Sequence, residues 1–228
     1  MTLTVSPPSA AAVAELAAEL AVLLGERNVS ADLRARERAS VDGAWMSPII
    51  SEQLPLGLAD LVAYPTTAEQ IGEVVAAAVR RGVPVTPRGK GTGNYGQAIP
   101  MAGGLVLDMS RARAVVEVGD GFVTAEAGAP MVALERAAGA TGQQLWMYPS
   151  TAQSPIGGFL SGGSGGTGTI AHGSNDAGFV LALDVVHATG SAELVHVEGA
   201  DAMRFVHNYG TAGAVSYTHL TLPTILRV

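Results

Sequence analysis

Apolar positions in Ala10–Leu24 recur at helical spacing, with Leu16, Leu20 and Leu23 on one side and Glu15 and Glu19 on another, which predicts an amphipathic helix. Arg27–Asn28 and Ser30–Pro48 are polar and carry no clear period. The pattern sharpens at Leu61–Pro65, a short apolar run that predicts a strand. Thr67-Ala-Glu-Gln70 then has the form of a capping box, opening a helix through Ile71, Val74, Val75 and Val79 that Gly82 closes. Short apolar runs predict strands at Val83–Thr86, Gly104–Met109, Ala114–Val118 and Gly121–Ala127. Pro130 is placed to open a helix through Ala138. Leu145–Tyr148 predicts another strand, Phe179–Thr189 and Glu193–Val197 a hairpin turning at Gly190-Ser191, and Asp201–Asn208 a short helix. The expected fold class is α+β, with two subdomains dividing near Ser110 and no repeat.

Two glycine-rich segments interrupt this pattern, each after a predicted strand: Arg88-Gly-Lys-Gly-Thr-Gly-Asn-Tyr-Gly96 and the run from Pro149 to Gly173. Glycine lets backbone N–H groups approach a ligand closely, and successive inward N–H groups form an anion-binding nest. Two such loops suggest one long phosphate-containing ligand held at two places. Between Gly157 and Gly173 there are eight glycines, a density that a core strand or helix does not tolerate. Ile156, Phe159, Leu160 and Ile170 read as apolar anchors between the turns, which a flexible linker would lack. A plain glycine-rich turn with solvated Arg88 and Lys90, or a linker at the second segment, is the bland alternative.

Gly91-Thr-Gly93-Asn-Tyr-Gly96 matches the spelling of the dinucleotide fingerprint of NAD(P)-dependent dehydrogenases. That fingerprint requires a helix directly after the glycines, whereas Gln97–Gly104 carries Pro100 and two glycines and leads to a strand. A Walker A loop fails too, because Lys90 is not followed by Ser or Thr.

The 228 residues allow one large or two small domains, and 48% apolar content fits a buried core. The 29 glycines lie in loops rather than in a repeat, which excludes a collagen-like chain. A net charge of −7 argues against a nucleic-acid partner. With no cysteine there is no disulfide, thiolate metal site or cysteine-linked cofactor. Met1–Ala10 lacks the basic start of a secretory signal, and Glu15 and Glu19 interrupt the alanine-rich run too early for a membrane span. The expectation is a soluble cytoplasmic protein.

No histidine and carboxylate pair has metal-ligand spacing, so no metal site is expected. Ser161 and Ser164 sit in glycine runs rather than in a nucleophile elbow, and no Ser-His-Asp set can be argued. His172 either contacts a cofactor or substrate or is simply solvated, and His187 and His196 fall on predicted strands. No catalytic residue is assigned.

Pro87-Arg-Gly-x-Gly-Thr92, followed by Ser154-Pro-Ile-Gly-Gly158, resembles the flavin domain of the FAD-linked oxidases, also called the vanillyl-alcohol-oxidase or para-cresol-methylhydroxylase type. The resemblance covers roughly Leu61 to Gly213. It implies a two-subdomain FAD-binding fold at 61–214, preceded by a helix and accessory arm at 1–60. It further implies that Arg88, Gly89, Lys90, Gly91, Thr92, Gly93 and Asn94 wrap the FAD pyrophosphate. Pro149, Ser150, Ser154, Ile156, Gly157, Gly158, Ser161, Ser164 and Gly165 would follow the flavin and ribityl chain, and Gly168, His172 and Gly173 its opposite side. Relatives often carry Tyr-Gly at His172-Gly173 and Asn at Phe159. Relatives with covalent flavin carry a histidine near Thr92, and none occurs in Arg88–Gly96, so the FAD is expected to be non-covalent.

The implied activity is hydride transfer from a small organic substrate to FAD, with oxygen, a quinone or a carrier protein as electron acceptor. The histidine-free loop is similar to the 2-hydroxy-acid dehydrogenase branch. The alternatives are a non-catalytic flavin or nucleotide module and an NAD(P)-dependent dehydrogenase.

The resemblance holds through Tyr209-Gly-Thr-Ala-Gly213 and then stops. Relatives continue into a final strand and a whole substrate domain, and both are expected to be missing. Val215-Ser-Tyr-Thr-His-Leu-Thr-Leu-Pro-Thr224 matches a translation of GTC TCT TAT ACA CAT CTG ACG CTG CCG ACG, the end of a transposase-type sequencing adapter. Residues 215–228 are therefore expected to be a non-native tail, His219 and Arg227 to carry no function, and the chain alone to be inactive.

Overall fold

The computed structural model describes residues 6–54 and 56–222, so Met1–Val5 and the end of the tail, with Arg227, lie outside the described residues. The helix α1 spans Ala10–Leu24, as its period predicts, and buries Leu16, Leu20 and Leu24. The polar stretch after it is more regular than its composition suggests. A two-residue strand β1 (Val29–Ser30) and two helices, α2 (Leu33–Ala39) and α3 (Pro48–Gln53), form there. Asp32 and Ser47 supply the missing signal by capping α2 and α3 through their side chains.

The strand β2 (Leu61–Ala63) leads into α4 (Ala68–Arg80), and β3 (Val85–Arg88) and β4 (Leu105–Asp108) follow. Thr67 caps α4 as predicted. The reciprocal arm differs, because the Gln70 side-chain oxygen accepts from the Thr66 amide at 2.8 Å rather than from Thr67. These strands make a four-stranded sheet in the order β1-β2-β4-β3, parallel except for β1.

A second, antiparallel sheet begins with β5 (Val115–Gly119) and β6 (Phe122–Glu126) and ends with β7 (Val180–Val186), β8 (Leu194–Glu198) and β9 (Ala214–Thr221), in the order β5-β6-β9-β7-β8. Between its two halves the chain forms α5 (Met131–Ala140), α6 (Ile156–Ser161) and α7 (Thr169–His172). A short α8 (Gly199–Ala202) follows β8.

One core joins the second sheet to α5 and α6 through Met131, Leu134, Met147, Ile156, Leu160 and Phe179. A second packs α1 and α4 on the first sheet and also takes in Val186 and Ala214 of the second sheet; a small third joins Ala39 and Ala59 to Val62 and Val106. Alpha-4 thus lies between the sheets. A Cβ on its Gly72 would run into the backbone of Ala192 in the β7–β8 turn.

Four sequence expectations are corrected. Leu145–Tyr148 is not a strand and makes only an isolated bridge from Tyr148 to Thr167. The glycine density does not prevent a helix, because α6 contains only Gly157 and Gly158 and packs Ile156, Phe159 and Leu160 inward. Ile170 is no anchor, being fully exposed. The helix expected over Asp201–Asn208 ends at Ala202 and passes through a 3-10 turn, Met203–Phe205, after which Val206 is extended and His207 takes a left-handed φ of 56°.

The final strand is not missing from the fold. Ala214–Thr221 fills the centre of the second sheet between β6 and β7. Its Val, Tyr and Thr residues suit a pleated strand; Ala214 and Val215 are both buried, and from Ser216 on burial alternates, with Ser216, Thr218 and Leu220 inside.

Candidate flavin site

The two glycine segments face each other across a cavity of about 370 Å³, lined by residues of both. The first loop leaves the C-terminal end of β3. No helix follows it; the chain runs through turns to Gly104 and β4. Among the described residues, none of the backbone N–H groups from Lys90 to Asn94 donates a hydrogen bond. Five consecutive free donors on the wall of a cavity are what an anion such as a pyrophosphate requires.

The second segment supplies the opposite wall. The Ser154 hydroxyl lies 3.1 Å from that of Thr92, linking the two loops. Alpha-6 is anchored by the Ile156 and Gly157 amides, which donate to Ala129 and Ala127 carbonyls, both at 2.9 Å. Gly157 must be glycine for packing, because a Cβ would lie 2.7 Å from that of Ala127. Gly158 differs: it is exposed, and its nearest neighbour to a Cβ is Pro155 Cγ at 3.7 Å, leaving a gap on the cavity side. Among the described residues, the hydroxyls of Ser150, Ser161 and Ser164 have no protein partner. Asn175 is buried and holds this wall by donating to the Ser164 carbonyl at 2.9 Å.

The cavity therefore gathers Arg88 to Asn94 together with Pro149, Ser150, Ser154, Gly157, Gly158, Ser161, Ser164 and Gly165. Ile156 lies beneath it in the core. Gly168, His172 and Gly173 are not on its wall. That stretch folds against Trp146–Tyr148 instead: Gly166 and Gly168 leave no room for a Cβ over the Tyr148 and Trp146 carbonyls, and His172 stacks on Trp146 with centroids 5.2 Å apart.

Arg88 does not simply extend toward the cavity. Its guanidinium tucks under the loop at Gly91 and donates to the Arg38 carbonyl at 3.3 Å. Its Nη1 is buried without a partner. Burial pulls this guanidinium below its ordinary pKa, and Asp108, Asp42 and Tyr64 offset part of that. A smaller neighbouring cavity of about 270 Å³ lies on this side, between Arg38, Tyr64, Arg88, Lys90 and Asp108.

Sequence reasoning missed the wall formed by Tyr209, Gly210, Gly213 and Ala214, and also Met109 and Ala127. The last two carry no chemical signal. Tyr209, Gly210 and Gly213 fall in the last stretch of the family likeness, and Ala214 opens β9, a strand that was not expected. The structure also gathers Asp184, His196 and His219, whose ligand atoms lie within 4.8 Å of one another. They come from three strands, so no sequence spacing announces them. His196 Nδ1 is engaged by Asp184 at 2.6 Å and His219 Nδ1 by Thr124 at 3.0 Å. His219 belongs to the stretch expected to be foreign.

The sequence pattern described as "FAD binding domain" matches residues 59–195. An uncharacterized FAD-linked oxidoreductase of Mycobacterium tuberculosis is 33% identical over 139 residues, covering 60% of this chain and 30% of the relative. The glycolate oxidase subunit GlcD of Bacillus subtilis is 29% identical over 167 residues, covering 69% and 35%. D-2-hydroxyglutarate dehydrogenase of Xanthomonas citri is 33% identical over 145 residues, covering 61% and 29%. A solved structure of alkyldihydroxyacetonephosphate synthase superposes with a TM-score of 0.82 at 20% identity, covering all of this chain and 43% of that one. The chain thus spans about a third of the length of the curated relatives it matches. Among the described residues, no helix is long and apolar enough to cross a membrane.

Proposed function

The chain belongs to the family of FAD-binding domains found in FAD-linked oxidoreductases, and from that premise we propose that it is the flavin-holding part of an enzyme that oxidises a small 2-hydroxy acid. FAD is the cofactor. Bound flavin supplies a ring that accepts a hydride from a C–H bond.

The observation that carries the reading is the row of unpartnered amides from Lys90 to Asn94, tied to the second glycine wall through Thr92 and Ser154. Those amides would hold the pyrophosphate, with Lys90 adding an exposed positive charge. Gly158, with no side chain, would let the cofactor approach α6, and the hydroxyls of Ser150, Ser161 and Ser164 are free to meet its polar chain. No histidine stands in the first loop and the chain has no cysteine, so the cofactor would be held without a covalent bond. The 2-hydroxy-acid assignment rests on the names of relatives, since glycolate, lactate and hydroxyglutarate share that group.

Anaerobic addition of glycolate, D-lactate or D-2-hydroxyglutarate to the FAD-loaded protein, expressed from its source locus, tests this reading. At least one is expected to bleach the flavin, and an added quinone or dye to restore the colour. Flavin that dithionite bleaches but no hydroxy acid does would overturn the substrate class.

A further inference from the structure

His207 and Tyr209 stand out by their backbone. Tyr209 lines the cavity, and both hold left-handed φ values, a region that a tyrosine rarely takes. Such strain persists only where surrounding contacts over-determine it, and it concentrates at ligand clamps. The contacts here are specific. The His207 amide donates to the Leu160 carbonyl at 3.0 Å and the Tyr209 amide to the Ser161 carbonyl at 2.8 Å, which ties the segment to α6. Asn208, between them, accepts from the Gly210 amide at 2.9 Å and donates to the Arg204 carbonyl at 2.8 Å.

The strained backbone delivers the Tyr209 ring to one place. It meets the ring of Tyr95, on the first glycine loop, edge to face with centroids 6.3 Å apart and planes at 77°. The Tyr209 hydroxyl lies 3.3 Å from His207 Nε2, on its other side. Tyr95 is 78% exposed, so packing alone does not account for its position. Both rings line the cavity whose other walls are glycine amides and serine hydroxyls. Donors on the walls suit phosphate and ribityl oxygens, and an aromatic face suits a flat ring.

Resting on the flavin reading above, we propose that Tyr209, braced by Tyr95, is a positioning residue that packs against a flat heteroaromatic ring of the bound dinucleotide. That ring is either the isoalloxazine or the adenine, which share the same π chemistry. The left-handed backbone is the cost of aiming the ring inward. Stability and affinity should therefore respond in opposite directions when the ring is removed, which a merely structural residue would not produce.

The test uses protein expressed from its source locus, with FAD affinity followed by flavin fluorescence and stability by thermal melting. Tyr209→Gly is expected to weaken FAD binding about tenfold, with a melting temperature equal to or above the parent's, because glycine accepts the positive φ. Tyr209→Asn, which also accepts it, is expected to behave the same way, and Tyr209→Phe to keep the parent's affinity. Titrations with FMN and with ADP separate the two rings: the fragment that Tyr209 contacts loses affinity in Tyr209→Gly, and the other does not. Unchanged FAD affinity in both Tyr209→Gly and Tyr209→Asn would overturn the proposal while leaving the flavin reading intact. Equal losses in Tyr209→Phe and Tyr209→Gly would also overturn it, by assigning the effect to the hydroxyl. A parent protein that binds no FAD would overturn the flavin reading itself.

Discussion

The hydroxyls of Thr92 and Ser154 lie 3.1 Å apart and are the side-chain hydrogen bond that joins the two glycine segments across the cavity. Sixty-two positions separate them in sequence. Thr92 lies in the middle of the free amides of the first loop, and Ser154, itself buried, precedes α6.

Breaking the Thr92–Ser154 bond should loosen the cofactor more than the fold. Thr92→Val and Ser154→Ala are each expected to weaken FAD binding by about 1 kcal/mol, the net worth of a neutral hydrogen bond. The double variant should lose little more than either single one, because both remove the same contact. FAD titration of the four proteins measures this, and fully additive losses would mean the two hydroxyls act separately.

Gly157 and Gly158 are adjacent in α6, yet opposite outcomes are expected. Gly157→Ala puts a methyl group 2.7 Å from the Ala127 Cβ and should cost about 1–3 kcal/mol of stability through overpacking. A Cβ at Gly158 meets nothing closer than Pro155 Cγ at 3.7 Å, and Gly158 lines the cavity, so Gly158→Leu is expected to extend its side chain into it. Its melting temperature should hold, since leucine is the better helix former, while FAD binding is abolished. Thermal melting paired with FAD titration reads both, and normal FAD affinity in Gly158→Leu would place the cofactor elsewhere.

Lys90 is exposed, so Lys90→Ala should weaken FAD binding by about 1 kcal/mol or less, with the remaining loss of affinity at high salt correspondingly smaller. Arg88→Ala should cost more, and in stability as well, because its guanidinium supports the loop from below at Gly91 and reaches the Arg38 carbonyl. Salt-dependent titrations and melting curves of the two variants separate these roles. Equal behaviour would put Arg88 in solvent.

The period of α1, the cap of α4 and the β7–β8 hairpin were legible in the sequence because each is a local pattern of apolar spacing and capping chemistry. The first glycine loop was legible for the same reason, as five consecutive amides need no partner from elsewhere in the chain. What was hidden is what tertiary contact decides. Gly166, Gly168 and Gly173 look like the glycines on the cavity wall, but Gly166 and Gly168 serve the fit of one loop against Trp146–Tyr148, and Gly173 makes room for Ala177. Tyr209 carries a left-handed φ that its residue type argues against. Asp184, His196 and His219 meet only through the register of three strands.

We propose that residues 215–228 derive from adapter DNA rather than from the gene. The strand β9 is no obstacle, since a run of Val, Tyr, Thr and Leu with alternate burial fills a vacant central position whatever its origin. Amplifying the source locus is expected to give a different continuation after Gly213. Genomic codons for Val215–Thr224 followed by a stop would refute this. With a native continuation, the Asp184, His196 and His219 cluster is expected to disappear.

We propose that the cavity between Arg88–Gly96 and Pro149–Gly165 holds FAD without a covalent bond. Acid precipitation of the yellow protein, expressed from its source locus, is the decisive measurement. The colour is expected to pass to the supernatant and to be identified there as FAD by chromatography. Colour that stays with the precipitate, or a protein that remains colourless after incubation with FAD, would rule this out.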